Sequence, residues 1–501
     1  MDHSRPFSRR NLLKAGAFGA TSLGLQGALH PSLHAQAPDL RRVDPKDRKL
    51  LFVFCAHGGA GVIDSLLPVV ETEVGNPQLA STLCTYPASQ VEQIAGSAFK
   101  HVKPLKPESY IFMKPPPNMG EFIRRHGQDV ALLCHDVSSV NHNVAQARSL
   151  NGNGANGGRT IMEAMAMRYG GGMPLPSCNM GIDGFVEHGS DPSIPSRARH
   201  ETITSPRFFG TGTHGYKGIA GLPKAGSIEH ARKVREQLDR ETVFAKTFGK
   251  SPVVARYLEQ RKAGVVELEQ AQLLENLLLL DPATLDPKYG LQASALVQQL
   301  YKRMPNLAQH DTQSQLGVAF LLAYHGVATS VTFGFRSDPV ITKEDGVITA
   351  PIAFDFSHSS HRATQSAMWG NLTSLLDNFI TLLKEYDYMG DPGLGKMWER
   401  SVIYVATDFG RTKNRSSAGA ADWSSGHDQN NGSLIISPRV VGNRVYGGVD
   451  PKTCLTYGFD RGTGAPNKSV TLDEAGLYGA LAHVLDIEYA GREDCPVLLR
   501  G

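Results

Sequence analysis

Acids, imidazoles and one arginine stand where the apolar runs of this chain end. The run Ser401-Val402-Ile403-Tyr404-Val405-Ala406 leads into Thr407-Asp408-Phe409-Gly410-Arg411-Thr412, with Gly426-His427-Asp428 shortly after. Leu50 to Ala56 runs into His57-Gly58-Gly59-Ala60-Gly61, and Asp64-Ser65 lie just beyond. Val130 to Cys134 ends in His135-Asp136, followed by Ser138-Ser139-Val140-Asn141-His142. Ile352-Ala353-Phe354 ends in Asp355-Phe356-Ser357-His358-Ser359-Ser360-His361. Carboxylates and imidazoles gathered from several strand ends suit a divalent metal site. Two close ions would clamp the attacking and leaving oxygens of an ester cleavage. The guanidinium of Arg411 could grip an anionic oxygen in a fork of hydrogen bonds.

The candidate ligands are Asp64, Asp355, His358, His361, Asp408 and His427. Each has a plainer reading beside it. His57 could cap a strand turn, Asp64 could N-cap a helix, and Asp408 could cap the turn before Gly410. Asp355 and His358 could belong to a surface turn, and Asp428 could orient an imidazole instead of ligating. His427 lies in a polar Gly/Ser/Asn loop and has no apolar face to fill.

The elements that must position these residues form an alternating series. The apolar runs read as buried parallel strands, and ligands of open α/β sheets bind beyond the carboxyl ends of such strands. Val327 to Phe333 and Ser433 to Ile436 add two more strands. Helical spacing is clear over Arg159–Tyr169, over Met368–Leu383, and after Thr471-x-x-Glu474, which reads as a capping box. Residues 172–227 are rich in Pro, Gly and Ser and read as irregular, whereas about 228–308 read as a helical insertion. Strands alternating with helices predict an α/β fold: a mainly parallel sheet with helices on both faces.

The 501 residues exceed what one simple core usually holds, which fits a large domain carrying an insertion. Hydrophobic and charged contents of 41% and 20% are ordinary for a globular protein. Ser8-Arg9-Arg10-Asn11-Leu12-Leu13-Lys14, a mild apolar stretch and Ala35-Gln36-Ala37 read as a twin-arginine signal peptide over residues 1–37. The apolar stretch is interrupted and too short for a membrane span. Residues 1–37 carry Arg5, Arg9, Arg10 and Lys14 against Asp2 and so hold the whole chain's excess charge of +3. The remainder is close to neutral and shows no basic patch for nucleic acid. Six scattered cysteines include no C-x-x-C pair, which argues against a zinc ribbon or thioredoxin-like site. Cys55 and Cys134 read as buried thiols. Export would permit a disulfide such as Cys454–Cys495.

Asp408-Phe409-Gly410-Arg411-Thr412 with Gly426-His427-Asp428 resembles the signature of a family of exported bacterial proteins, domain of unknown function 1501. That family is assigned to the alkaline phosphatase-like superfamily, beside phosphatases, sulfatases and cofactor-independent phosphoglycerate mutases. His57 to Pro68 resembles its Gly-Gly-Ala-Asp-Gly-Leu-Asn-Thr-Val-Val-Pro segment, with Asp64-Ser65 where the family has Asn-Thr. Asn141 to Gln146 resembles its Ser-His-Phe-Asp-Ala-Gln, and Phe354-Asp355 to His358 its Phe/Trp-Asp-Thr-His, one residue longer here. The usual Glu is Asp408. The resemblance implies an alkaline phosphatase-like fold and a metal centre of zinc or manganese. It also implies that Asn141, His142 and Arg411 contact the anionic group. In the superfamily a Ser, Thr or modified Cys attacks phosphorus or sulfur, but Asn141 stands at the hydroxyl's place. Ser138, Ser139 or a metal-bound water are the alternatives.

The expectation is an exported, periplasmic or extracellular, metal-dependent hydrolase acting on a small-molecule or glycan phosphate or sulfate ester. The alternative is a non-catalytic exported protein of the same fold, binding an anionic glycan or an envelope partner. A nucleotide site at the Gly58–Gly61 turn is disfavoured, because the turn lacks the spacing of either nucleotide fingerprint.

Overall fold

A computed structural model describes residues 40–105, 116–181, 184–185, 188–209, 225–251, 254–255, 276–277, 279, 294–335, 340–343, 346–349 and 353–500. The proposed signal at 1–37, Ile352 and most of 256–293 lie outside these residues. The chain divides into two compact units, Asp39–Lys224 with Gly264–Gly501, and Met1–Pro38 with Ala225–Ala263. The described part of the smaller unit contains the helices Ala225–Glu241 and Val243–Phe248. Within the larger unit, Ala295–Arg303 is also helical.

The larger unit is built on one eight-stranded sheet. Its strands are β1 (Leu50–Ala56), β2 (Val130–Asp136), β3 (Ser177–Asn179), β4 (Glu201–Thr202), β5 (Ser330–Gly334), β6 (Ser401–Thr407), β7 (Asn430–Ile436) and β8 (Arg444–Tyr446). Their order across the sheet is β8-β2-β7-β6-β1-β5-β3-β4. All neighbours are parallel except β7, which runs antiparallel to both β6 and β2. The sheet is therefore mixed and mostly parallel. The exception follows from the loop between β6 and β7. There Gly410–Arg411 pairs antiparallel with His427–Asp428, so the chain doubles back at the carboxyl end of β6. That return brings His427 to the edge where Asp408 ends its strand.

Both sheet faces are apolar, as the continuous runs require. Leu50, Phe52 and Phe54 of β1 enter one core, and Leu51, Val53 and Cys55 enter the other. The first core is covered by helices α1 (Met119–His126), α4 (Asp311–Tyr324) and α5 (His361–Glu385). The second is covered by α2 (His142–Asn151), α3 (Ile161–Tyr169) and α6 (Glu474–Leu485). Phe52 meets Phe379 of α5 edge to face at 4.8 Å between ring centroids. With a strand period of two, each face carries every second residue, which is why the runs show no polar alternation.

Three local expectations differ from what forms. Thr471 and Glu474 make no capping box: Asp473 caps α6 by accepting from Gly476 N. Glu474 instead turns to accept from the backbone N–H and hydroxyl of Ser138. Phe354 begins no strand but a 3-10 turn, Phe354–His358, because its N–H donates to the His57 carbonyl at the end of β1. Cys454 and Cys495 are free, buried thiols in separate apolar clusters and are not joined. Among the described residues no helix is long and apolar enough to cross a membrane.

Candidate metal centre

The Gly58–Gly59 turn after β1 sets the geometry. Gly58 has φ +92°, and a Cβ there would lie 2.2 Å from Asp355 N. Only glycine meets both demands. The turn is gripped from below by Asp408, which is fully buried at the end of β6. Its Oδ1 accepts from Gly59 N at 2.8 Å and Phe409 N at 3.1 Å. Its Oδ2 accepts from Gly58 N at 3.2 Å and from His142 Nδ1 at 2.7 Å. Burial opposes the charge of Asp408. The His142 hydrogen bond, the nearby imidazoles and the Gly59 N–H outweigh it and hold the carboxyl below its ordinary range.

Arg411 is buried beside this turn and its donors point inward. Nε and Nη2 donate to the Gly58 carbonyl. Nη2 also reaches the Phe354 carbonyl and Asp355 Oδ1, and Nη1 donates to the Ser425 carbonyl and His358 Nε2, both at 3.2 Å. The residue expected to hold a substrate oxygen is thus a clamp joining the β1 turn to the Asp355 segment. It also holds the Asp355 carboxyl low, after the larger effect of the His142 hydrogen bond.

Four ligand-type atoms converge above this frame. His142 opens α2, and with its Nδ1 bound to Asp408 its Nε2 is left facing Asp355 Oδ1 at 3.5 Å. His427 Nδ1 lies 3.0 Å from the Val140 carbonyl, which can only accept, so that nitrogen carries the hydrogen. His358 Nε2 receives Arg411 Nη1, which can only donate, so that nitrogen carries no hydrogen, and an ion taking its one lone pair would displace Arg411. His358 Nε2 and His427 Nε2 face each other at 2.8 Å. Asp355 Oδ1 stands 3.3 Å from the first and 3.8 Å from the second. Two neutral imidazoles so fixed would set lone pair against lone pair, which is repulsive unless a cation lies between them. For His358 and His427 a proton is the poorer cation, since burial and then Arg411 push both below the usual imidazole range. The hydrogen bonds to Asp355 and Asp408 instead raise His142 to about 9, so an ion at its Nε2 would displace a proton.

The donor set fits a divalent ion. Bond lengths of about 2.0–2.1 Å place the ligand atoms of a tetrahedral zinc about 3.3 Å apart. Asp355 Oδ1 lies 3.3–3.8 Å from the three imidazole nitrogens, and His358 Nε2 lies 2.8 Å from His427 Nε2. His142 Nδ1 and His427 Nδ1 are each held by an oxygen, the arrangement that fixes ring orientation around metals. His142, Asp355 and His427 form one group able to hold an ion, and His57, His142 and Asp408 form an adjoining one.

The six expected ligands therefore divide. Asp355, His358 and His427 meet at one point together with His142. Asp408 lies beneath as the anchor of His142 and of the glycine turn. Asp64 and His361 are fully buried in a different group with Cys84. Asn141 is the N-cap of α2, its side chain accepting from Val144 N. The Ser138 hydroxyl is engaged by Glu474 and Arg148, and that of Ser139 accepts from Asn141 N. Asp428 turns toward Asn430 N and Lys413. Sequence reasoning placed His142 on the substrate and not beside Asp355 and His427, with which it could hold an ion, and it did not weigh Cys84. No pattern around Cys84 marks it, since its partners lie 20 and 277 positions away. Comparison with known proteins returns no matching family model, curated protein or solved structure.

Proposed function

We propose that this chain is an exported metal-dependent hydrolase of phosphate or sulfate esters, built on an alkaline phosphatase-like fold. The observation that carries the reading is the meeting of His142 Nε2, His358 Nε2, His427 Nε2 and Asp355 Oδ1, with two lone pairs opposed at 2.8 Å. These four residues would hold the ion. A divalent cation bound there supplies Lewis acidity toward the ester's non-bridging oxygens and lowers the pKa of water. His142 stands at the first turn of a ten-residue helix, where the helix dipole favours an anionic group. Asn141 caps the helix and offers no hydroxyl, which favours water over a side chain as the attacking group. The twin-arginine signal would export the chain folded.

The capping role of Asn141 and the inward donors of Arg411 favour one second reading, an exported protein of this fold that binds an anionic glycan or envelope partner without turnover. Metal analysis of protein purified from its native host, with a panel of phosphate and sulfate esters assayed with zinc and manganese, separates the two. Turnover abolished in His427→Ala supports the hydrolase. Metal-bearing protein inert across the panel supports the binding protein, and protein without metal overturns the centre itself.

A further inference from the structure

We propose that Asp64, Cys84 and His361 form a second metal site, fully buried and structural, that takes zinc. The three residues come from separate segments: the turn Val62–Asp64 after β1, the loop following helix Pro77–Thr82, and the first position of α5. All three are 0% exposed. Asp64 Oδ1 lies 3.0 Å from His361 Nε2 and 3.2 Å from Cys84 Sγ, and Sγ lies 3.6 Å from the same Nε2. Around a tetrahedral zinc with a thiolate bond of about 2.3 Å and nitrogen or oxygen bonds of about 2.0 Å, those edges would be about 3.3–3.6 Å.

The arrangement is not a nucleophilic triad. A triad needs the imidazole to bridge thiol and carboxylate through its two different nitrogens. Here Nε2 faces both partners, so all three ligand atoms look at one point. The hydrogen bonding is also incomplete for a purely polar cluster. Tyr86 Oη donates to Asp64 Oδ1 at 2.8 Å, crowding three groups onto one oxygen. Among the described residues Asp64 Oδ2 and His361 Nδ1 have no hydrogen-bond partner, though both are buried. Leaving such groups unpaired is costly. Bonding to an ion would engage Asp64, with its second oxygen or Tyr86 completing the coordination. Thiolate, imidazole and carboxylate together select zinc over magnesium or calcium.

Such an ion would staple three segments beneath the Gly58–Gly61 turn. Gln365, one turn beyond His361 on α5, already binds that turn through Gly59 O and Gly61 N. The site is thus placed to hold the glycine turn against α5.

Cobalt exchange tests this, because only a thiolate ligand gives the near-ultraviolet sulfur-to-cobalt charge-transfer band. Cobalt-loaded wild-type protein should show the band, and His427→Ala should keep it. Cys84→Ser should lose it together with one zinc per chain, and Cys454→Ala, removing the neighbouring thiol, should keep both. A folded wild-type protein with no such band, or Cys84→Ser with unchanged zinc, overturns the site and leaves a hydrogen-bonded cluster. Should Cys84→Ser fail to fold, the wild-type band decides alone. Loss of metal in His427→Ala reports on the other centre, so the two readings fail separately.

Discussion

His427 and His358 present their Nε2 atoms to each other across 2.8 Å, each turned by a partner on a distant segment: the Val140 carbonyl behind His427 and Arg411 beside His358. Neither ring can relieve the contact by switching tautomer without losing that partner. Among the described residues, this opposition is the contact that a bound cation would relieve.

Removing one member of the pair should therefore release the ion. His427→Ala is expected to lose the metal held by His142, Asp355 and His358, and with it ester hydrolysis, while the fold persists because His427 is partly exposed. Elemental analysis with circular dichroism checks this. Retention of full metal content would show that the imidazoles serve only each other.

Asp408 acts through His142. Asp408→Asn keeps the shape but weakens the acceptor that orients the ring, and should lower metal affinity about 10- to 100-fold. A competitive chelator titration measures it. Asp408→Ala leaves the Gly58 and Gly59 N–H groups unpaired and should cost about 3 kcal/mol in urea unfolding.

Gly58→Ala should be worse than either. Its Cβ would meet Asp355 N at 2.2 Å in a left-handed backbone, so the turn must shift. A loss above about 3 kcal/mol and loss of the metal are expected. Thermal unfolding of the purified variant provides the check.

Asn141 should behave as a cap. Asn141→Ala is expected to lower stability by about 1 kcal/mol and to leave kcat within about tenfold of wild type. That is far from the loss of roughly 3 kcal/mol or more in barrier that removing a nucleophile entails. Asn141→Ser should restore the cap. A collapse of kcat in Asn141→Ala with unchanged stability would place this residue in the chemistry instead.

His135 gives a pH dependence outside the metal centre. It is buried at the end of β2, where burial pushes its pKa down to about 4. The unfolded value is about 6.5, so between the two the unfolded chain binds more protons and stability rises with pH. The contribution is intact above about pH 6.5 and is lost progressively toward pH 4, to roughly 3 kcal/mol. Urea unfolding across that window should show a smaller decline in His135→Gln.

The sheet was legible because its strands are apolar on both faces. Leu50–Ala56 and Ser401–Ala406 leave no other reading, and the end of the second located Asp408. Less was legible where a residue's role depends on its partner. Glu474 looked like half of a capping box until Ser138 claimed it, and Arg411 looked like an anion clamp until Gly58, Phe354 and Ser425 took its donors. These partners are remote in the chain, and propensity and spacing carry no information about them.

By itself the sequence determined an α/β chain with mostly parallel strands, and it placed His57 and Asp408 at strand ends, since hydrophobic period and turn chemistry are local properties. Only the tertiary structure decided which of the acids and imidazoles come within reach of one another. The return of β7 beside β6 brought His427 to His358, the buried Asp408 turned His142 Nε2 toward Asp355, and the packing of α5 drew His361 away to Asp64 and Cys84. Coordination depends on separations of a few ångströms between residues hundreds of positions apart, and folding alone sets those.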